Sequence, residues 1–412
     1  MSRVSPARLA AARALVAVEE GAHLDAVLAE MAPATGADRD LSWFLAFGVT
    51  RRRGEVDAAL RPRLSRPLTG LDPAVRAVLR LGAFERLFAR TKPHAVVHQA
   101  VEVMKALGPA RASGMVNAVV RRVERPDRLR DAEAHNLPDW LWARWVDRHG
   151  ADVAGRWAEI AAEPPPLFVV ATDPTRPLDR APAGLVTVDG IHGVARCDAP
   201  SSRIEEWPGY ADGSWWIQDL AAVQMADLVG TGPSLQGRRV LDAFAAPGGK
   251  AFRLASQGAR VVAVDRDPER LEKVRSGAER LGLDLDVRTH DWSTGPDSFG
   301  ADFDAVLVDA PCSALGTLRR HPEVRWRRQP DDLDAMGARQ SALLETVATL
   351  VRPGGILVYA VCSPEPEEGE SVVERFLEAH RDFAVDEVRQ TAPPQHGEDA
   401  HYGCRLRRTE DP

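Results

Sequence analysis

The chain has 412 residues, of which 44% are hydrophobic and 27% charged, and its formal net charge is −7. This is the balance of a soluble globular protein, long enough for two to four domains of roughly 100–200 residues each. It carries no apolar run near the ~18 residues of a membrane helix, and its four cysteines are too few for a disulfide framework. No CxxC pair or Cys/His cluster has zinc spacing, so no metal is expected. The apolar stretch 9–18 is broken by Arg13 and followed by Glu19 and Glu20, unlike a signal-peptide core. A cytoplasmic protein, monomeric and not bound to membrane, fits these features.

Charge is unevenly spread. Residues 1–130 hold 22 Lys+Arg against 13 Asp+Glu, while the rest of the chain is acidic. A basic N-terminal part suggests a polyanionic partner. In chain order, this part reads as helices and nothing else. Leu9, Ala12, Leu15 and Val16 fall on one helical face. Residues 40–50 form an apolar segment that runs into Arg51, Arg52 and Arg53. Asp72 and Pro73 start another helix, and 97–107 and 113–123 are two more. The expectation is an all-α domain over 1–130.

Residues 131–210 are less regular. Trp140, Trp142, Trp145 and Trp157 lie in a helical stretch that stops before Pro164, and 167–172 reads as a short strand. A small α+β connecting domain is expected here. A third domain is expected over 211–412, and from Arg238 onward the pattern becomes strand, loop, helix. Strands are expected at 239–244, 260–264, 285–289, 305–308 and 356–360, with helices at 268–281 and 330–351. Alternation of this kind implies an α/β domain with a mostly parallel, doubly wound sheet. Ligands of such sheets sit beyond the carboxyl ends of the strands. That rule selects residues 245–250, Asp265, Asp291, 309–313 and Cys362.

The segment 241–250, LDAFAAPGGK, is a strand entering a small-residue loop that opens a helix. Gly248 and Gly249 let backbone approach a ligand closely. Asp265, at the end of the next strand, can accept hydrogen bonds from both hydroxyls of a ribose. The loop is not GxGxxG, which argues against NAD, and Ala251 after Lys250 argues against a P-loop. A dinucleotide or S-adenosylmethionine suits the Asp265 pairing.

Cys312 follows the fourth strand and Cys362 the fifth, and each is followed by a serine. A lone buried cysteine is more often core than nucleophile. Two at adjacent strand ends point instead to thiol chemistry. Cytosine C5 is a poor nucleophile. A thiolate adding to C6 makes the ring an enamine that can attack a methyl group, and loss of the C5 proton then expels the thiolate. Asp309 is placed to hydrogen-bond the base edge. A base within folded RNA must be unstacked to reach such a pocket. Spacing leaves open which cysteine attacks.

At these residues the chain resembles the Sun/Fmu (RsmB-type) family of RNA cytosine-5 methyltransferases. The resemblance is carried by 244–250, by 309–326 (DAPCSALGTLRRHPEVRW), by 361–370 (VCSPEPEEGE) and by 216–222 (WIQDLAA). The helical N-terminus resembles the NusB-type RNA-binding domain. The resemblance implies a multidomain protein with a Rossmann-like domain that uses S-adenosylmethionine and methylates 16S rRNA. The same reaction on transfer RNA or another ribosomal RNA, or a weakened RNA-binding assembly protein, is the alternative. It implies Cys362 as the residue that attacks C6, Cys312 as the one assisting product release, and Asp309 as the acid contacting the base. In DNA cytosine-5 methyltransferases the Pro-Cys cysteine attacks, which would have pointed to Cys312. For the cofactor it implies Phe244, Ala245, Ala246, Pro247, Gly248, Gly249, Lys250, Asp265, Asp291 and Asp309. Phe244, Ala251, Val361 and Gly369 depart from the family's usual Cys, Thr, Thr and Asn, without removing a reacting group. RNA phosphates are expected to meet Arg51, Arg52, Arg53, Arg121 and Arg122, with Arg319, Arg320 and Arg325 near the cleft.

Overall fold

The computed structural model describes residues 4–33, 36–175, 178, 184–197, 203–296, 299–300, 302–391 and 397–410. The chain divides into two compact units, one of Met1–Pro164 with Leu318–Gln329, the other of Pro165–Thr317 with Pro330–Pro412.

The first unit is helical, and its helix starts follow from the sequence. Ser5 caps the helix Pro6–Glu19, and Asp72 accepts the Ala74 N–H at 2.9 Å to cap Pro73–Phe88. Both helices open on proline, whose missing N–H costs nothing in the first turn. Leu15, Leu28, Leu45, Leu79, Phe84, Met104 and Val120 converge in one core. Phe84 lies so close to Gly48 that a Cβ there would meet its ring at 2.1 Å. Within the core's edge, Arg80 bridges Asp57 at 2.7 Å.

Residues 131–210, expected as one connecting domain, are shared between the units. The helices Asp131–Ala134, Asp139–His149 and Ala151–Ala162 lie in the first unit. They are tied there because Glu133 pairs with Arg61, and Asn136 Nδ2 donates to Glu55 at 2.9 Å.

The segment 318–329 also joins this unit, although it interrupts the catalytic sequence. Trp326 Nε1 donates to the Thr50 carbonyl at 2.9 Å, and Arg53 stacks on the Trp326 ring. Arg325, expected to meet RNA, is wholly buried. Its guanidinium donates to the carbonyls of Asn136, Ala161 and Leu318 at 3.2, 2.7 and 2.9 Å. A side chain so enclosed cannot reach a phosphate, so Arg325 is an architectural clamp. The buried Glu323 faces it and Arg51 as counter-charge.

The second unit opens with a small antiparallel sheet of β1 (Leu167–Ala171), β2 (Val186–Thr187), β3 (Val194–Cys197) and β4 (Trp215–Ile217), in the order β2-β3-β1-β4. Seven strands follow: β5 (Arg239–Asp242), β6 (Arg260–Asp265), β7 (Leu285–Thr289), β8 (Phe303–Asp309), β9 (Val351–Val361), β10 (Phe383–Gln390) and β11 (Tyr402–Arg408). Their order is β10-β11-β9-β8-β5-β6-β7, parallel from β9 to β7. The inner strands are apolar on both faces, as helix-covered parallel strands must be. This is the Rossmann-like sheet expected. The antiparallel edge of β10 and β11 is an addition that the strand-helix alternation did not announce. Strand order reverses between β5 and β8, which is where such sheets bind ligands.

Candidate active site

The loop after β5 leads into the helix Gly249–Ser256. Gly248 has φ +118°, and a Cβ there would meet the Phe252 ring at 2.3 Å, so only glycine fits. Asp265 ends β6 almost fully buried. Its Oδ1 accepts the Asp267 N–H at 3.0 Å, and its Oδ2 accepts the Ala246 N–H at 3.3 Å. Asp291 lies just past β7, exposed, and accepts the Ser293 N–H at 3.0 Å, which holds its carboxyl below the usual range.

A cavity of about 500 Å³ runs along these strand ends, lined by Phe244, Ala246, Asp265, Asp291, Trp292, Asp309, Cys312 and Cys362 among others. That volume suits a nucleoside-sized ligand. Ala245, Pro247, Gly249 and Lys250 line a neighbouring cavity of about 480 Å³, which shares Phe244, Ala246 and Asp309 with the first. Lys250, expected among the cofactor's contacts, thus faces the second cavity. Its Nζ donates to Asp309 Oδ2 at 2.7 Å. Burial alone would lower the Lys250 ammonium, but the charge and hydrogen bond of Asp309, with Asp242 nearby, raise it.

The two cysteines meet. β8 and β9 pair in parallel with Asp309 opposite Ala360, so the loops beyond them start side by side. The Ala310 N–H donates to the Ala360 carbonyl at 2.9 Å, and the Gly316 N–H to the Cys362 carbonyl at 3.0 Å. Gly316 has no room for a side chain, because a Cβ would meet the Ala400 carbonyl oxygen at 1.8 Å. The Cys312 and Cys362 sulfurs end 3.2 Å apart. Contact with the Cys362 sulfur, then burial, push the Cys312 thiol well above its usual value, and Glu368 adds to this. Cys312 is held as a thiol.

Three residues here were not expected. Asp242, at the end of β5, is fully buried and lines the second cavity. Among the described residues neither of its carboxyl oxygens has a well-formed hydrogen-bond partner, although the Phe244 backbone N–H lies near enough to favour its charged form. Burial, then the charge of Asp309, push it up to about 7 against the pull of Lys250. His401 is buried too, and burial followed by Lys250 lowers it to about 4. Glu368 is buried behind the thiols. An acid inside the apolar strand 239–244 was the available signal for Asp242, and the acidic cluster after Cys362 the signal for Glu368. For His401 the sequence offers none.

The arginines divide. Arg121 and Arg122 are exposed at the end of the helix Ser113–Arg121. Arg51 donates to the Arg319 carbonyl at 2.8 Å and lies over Phe47, and burial with the Arg319 charge lowers it to about 10. Arg52 pairs with Glu55 at 2.9 Å and Arg53 with Asp57 at 3.5 Å. Arg319 donates to the Pro164 carbonyl at 2.9 Å, and Arg320 is half-buried.

A family model described as 16S rRNA methyltransferase RsmB/F matches residues 233–407, and a NusB family model matches residues 5–125. The chain is 37% identical over 394 residues to "Ribosomal RNA small subunit methyltransferase B" of Xanthomonas campestris pv. campestris, covering 91% of this chain and 88% of that relative. It is 38% identical over 422 residues to the protein so named in Thermus thermophilus, covering 98% of each. The chain belongs to the ribosomal RNA small subunit methyltransferase B family. The crystal structure of PH0851 shares the fold, with a TM-score of 0.82 at 20% identity over 98% of this chain and 99% of that one.

Membership makes the protein a methyltransferase with S-adenosylmethionine as its cofactor. The first cavity fits that group: a buried carboxylate for a ribose, a glycine-bounded loop and an aromatic wall of Phe244 and Trp292. The family's departures leave this intact. Phe244 lines the cavity, Ala251 and Val361 are buried, and at Gly369 a Cβ would press on the Tyr402 ring at 3.1 Å. Among the described residues no helix is long and apolar enough to cross a membrane.

Proposed function

We propose that the protein methylates C5 of a cytosine in 16S ribosomal RNA, with Cys362 as nucleophile. The observation that carries this reading is the meeting of the two thiols, 3.2 Å apart, beside the Lys250–Asp309 pair at the cofactor cavity. The names of the curated relatives supply the small-subunit RNA.

Cys362, as thiolate, adds to C6. The S–C6 bond forms, and the ring's C5–C6 π pair moves toward C5 and the N3 edge. Asp309, fixed by Lys250, faces that edge and hydrogen-bonds N3 and the exocyclic amine, favouring the adduct. When bound, the cofactor supplies the methyl group that C5 takes up. A base then removes the C5 proton. The C5–H pair re-forms the C5–C6 double bond, and the S–C6 pair returns to Cys362. Cys312, held protonated, stands in contact with the departing sulfur and can donate to it, assisting release.

Arg121 and Arg122, with the surrounding basic surface of residues 1–130, bind RNA phosphates in this reading. Bisulfite sequencing of ribosomal and transfer RNA from a deletion strain tests the function. One 16S rRNA cytosine loses its methyl group, and a plasmid copy of the wild type restores it whereas Cys362→Ala does not. An unchanged 16S rRNA with a lost transfer-RNA methyl group overturns the choice of substrate.

A further inference from the structure

Behind the two cysteines lies a carboxyl group that the mechanism above does not use. Glu368 has no exposed surface, and four donors converge on it. Its Oε1 accepts the Ser313 N–H at 2.7 Å and Gln340 Nε2 at 3.1 Å. Its Oε2 accepts the Ser313 hydroxyl at 2.5 Å and the Ser363 hydroxyl at 2.6 Å. The two serine oxygens lie 3.2 Å from each other. Ser313 directly follows Cys312, and Ser363 directly follows Cys362. Tyr359 donates to the Glu368 carbonyl at 2.5 Å, which anchors the acid's own backbone to β9.

We propose that Glu368 is a positioning residue for methyl transfer, clamping the serines after both cysteines so that the two thiols hold one fixed separation. This rests on the reading that both cysteines act in the reaction. The β8–β9 pairing ends at Asp309 and Ala360, with the Ala310 N–H bond to the Ala360 carbonyl as its last rung, so the residue after each cysteine is where a further tie has leverage. Burying a carboxyl among neutral donors is costly, and such a group endures where it imposes a geometry that apolar packing would not. An aliphatic residue would fill the space but take the carboxylate acceptor away from two serine hydroxyls and a backbone N–H. The second effect is electrostatic. The negative charge of Glu368 faces Cys312 and helps to keep that sulfur protonated.

The tie predicts a particular signature. Glu368→Gln keeps the shape but turns one accepting oxygen into a donating amide, so either the Ser313 N–H faces a donor or both serine hydroxyls must reverse to accept, and the charge beside Cys312 is lost. With purified full-length protein, S-adenosylmethionine and a 16S rRNA transcript, kcat should fall about 100-fold, as an ångström of misplacement costs. KM for the transcript and the Kd of S-adenosylmethionine should stay within about 3-fold, since neither ligand's contacts are touched. Without RNA, iodoacetamide labelling read by mass spectrometry across pH 7–10 should show Cys312 becoming reactive at lower pH than in the wild type. The double variant Ser313→Ala/Ser363→Ala removes both hydroxyl ties and keeps the acid. It should lower kcat about 10-fold or more, and it serves as the test if Glu368→Gln does not fold.

A folded Glu368→Gln with kcat within about 3-fold of wild type and an unchanged labelling profile overturns the proposal. So does a double serine variant with wild-type kcat. Failure of the cysteine reading looks different. Cys362→Ala would still form an RNA adduct, while the labelling of Cys312 in Glu368→Gln would continue to report on the clamp.

Discussion

Arg325 in the helical unit and Asp242 in the catalytic unit are both fully buried, and they show two uses of an enclosed charge. Arg325 gives hydrogen bonds to three backbone carbonyls and has Glu323 as counter-charge, so it joins segments of its own unit. Asp242 has no well-formed hydrogen bond among the described residues and borders a cavity beside Lys250 and Asp309. A buried group supplied with partners stabilises a fold. One left short of partners beside a cavity holds its energy in reserve for a ligand or a proton. The same contrast separates the two cysteine loops, tied through Glu368, from the cavity they border.

The largest effect is expected where that reserve becomes chemistry. Cys362→Ala should reduce methyl transfer below detection and leave no covalent protein–RNA complex on denaturing gels. Cys312→Ala should accumulate such a complex, because the sulfur that assists release is gone. If Cys362→Ala forms the complex and Cys312→Ala does not, the two roles are exchanged and Cys312 is the nucleophile.

Much of the catalytic unit was legible in the sequence, and for one reason. Parallel strands covered by helices are short apolar runs, and the residue after each run lies at the ligand end of the sheet. Asp265, Asp309, Cys312 and Cys362 needed nothing more. β10 and β11 did not announce themselves, because Phe383–Gln390 is mostly exposed and Tyr402–Arg408 carries three arginines. The place of 318–329 could not be read either. Its arginines look like a solvated basic run, and only packing against Asn136 and Ala161 reveals that Arg325 is inside. Glu368 and Asp242 share this limit. The sequence shows an acid, while its partners are set by chain segments far away.

Asp242 makes the next prediction through pH. Its carboxyl titrates near 7 in the fold, against about 4 when unfolded. As pH rises from about 4 to 7 the unfolded chain releases this proton first, so stability falls, by on the order of 4 kcal/mol at pH 8. His401 has the opposite slope. It titrates near 4 in the fold and near 6.5 unfolded, so its contribution is complete above about 6.5 and is lost as pH falls toward 4, on the order of 3 kcal/mol. Between about pH 4 and 6.5 the two slopes oppose each other. Asp242→Asn should remove the first, giving a protein more stable at pH 8 in urea denaturation, with stability now rising across that window. A variant no more stable at pH 8 would mean that Asp242 already has a partner.

For Arg325 the comparison predicts a loss of stability. Arg325→Ala strands three carbonyls and opens a cavity, lowering stability by about 3 kcal/mol in the same assay. RNA affinity of the folded variant, measured by filter binding at several salt concentrations, should keep the wild-type slope, because no phosphate contact is lost. A reduced slope would return Arg325 to the RNA-binding surface.

The smallest effect belongs to Arg121 and Arg122, the exposed counterparts of Arg325 in the same unit. Neither is enclosed, so the double Arg121→Ala/Arg122→Ala variant should change stability by less than about 0.5 kcal/mol. If both meet phosphates, affinity for a 16S rRNA transcript should fall about 10-fold at moderate salt. The slope of log affinity against log salt should flatten by roughly 0.7 for each contact to single-stranded RNA. Methyl transfer at saturating RNA should be unchanged, since no group at the thiols is touched. Arg325→Ala and this pair therefore move opposite readouts, stability for one and salt-dependent affinity for the other. A pair that lowers stability and leaves the slope alone would erase the distinction between enclosed and exposed arginines, and the basic surface would have to bind RNA through other residues.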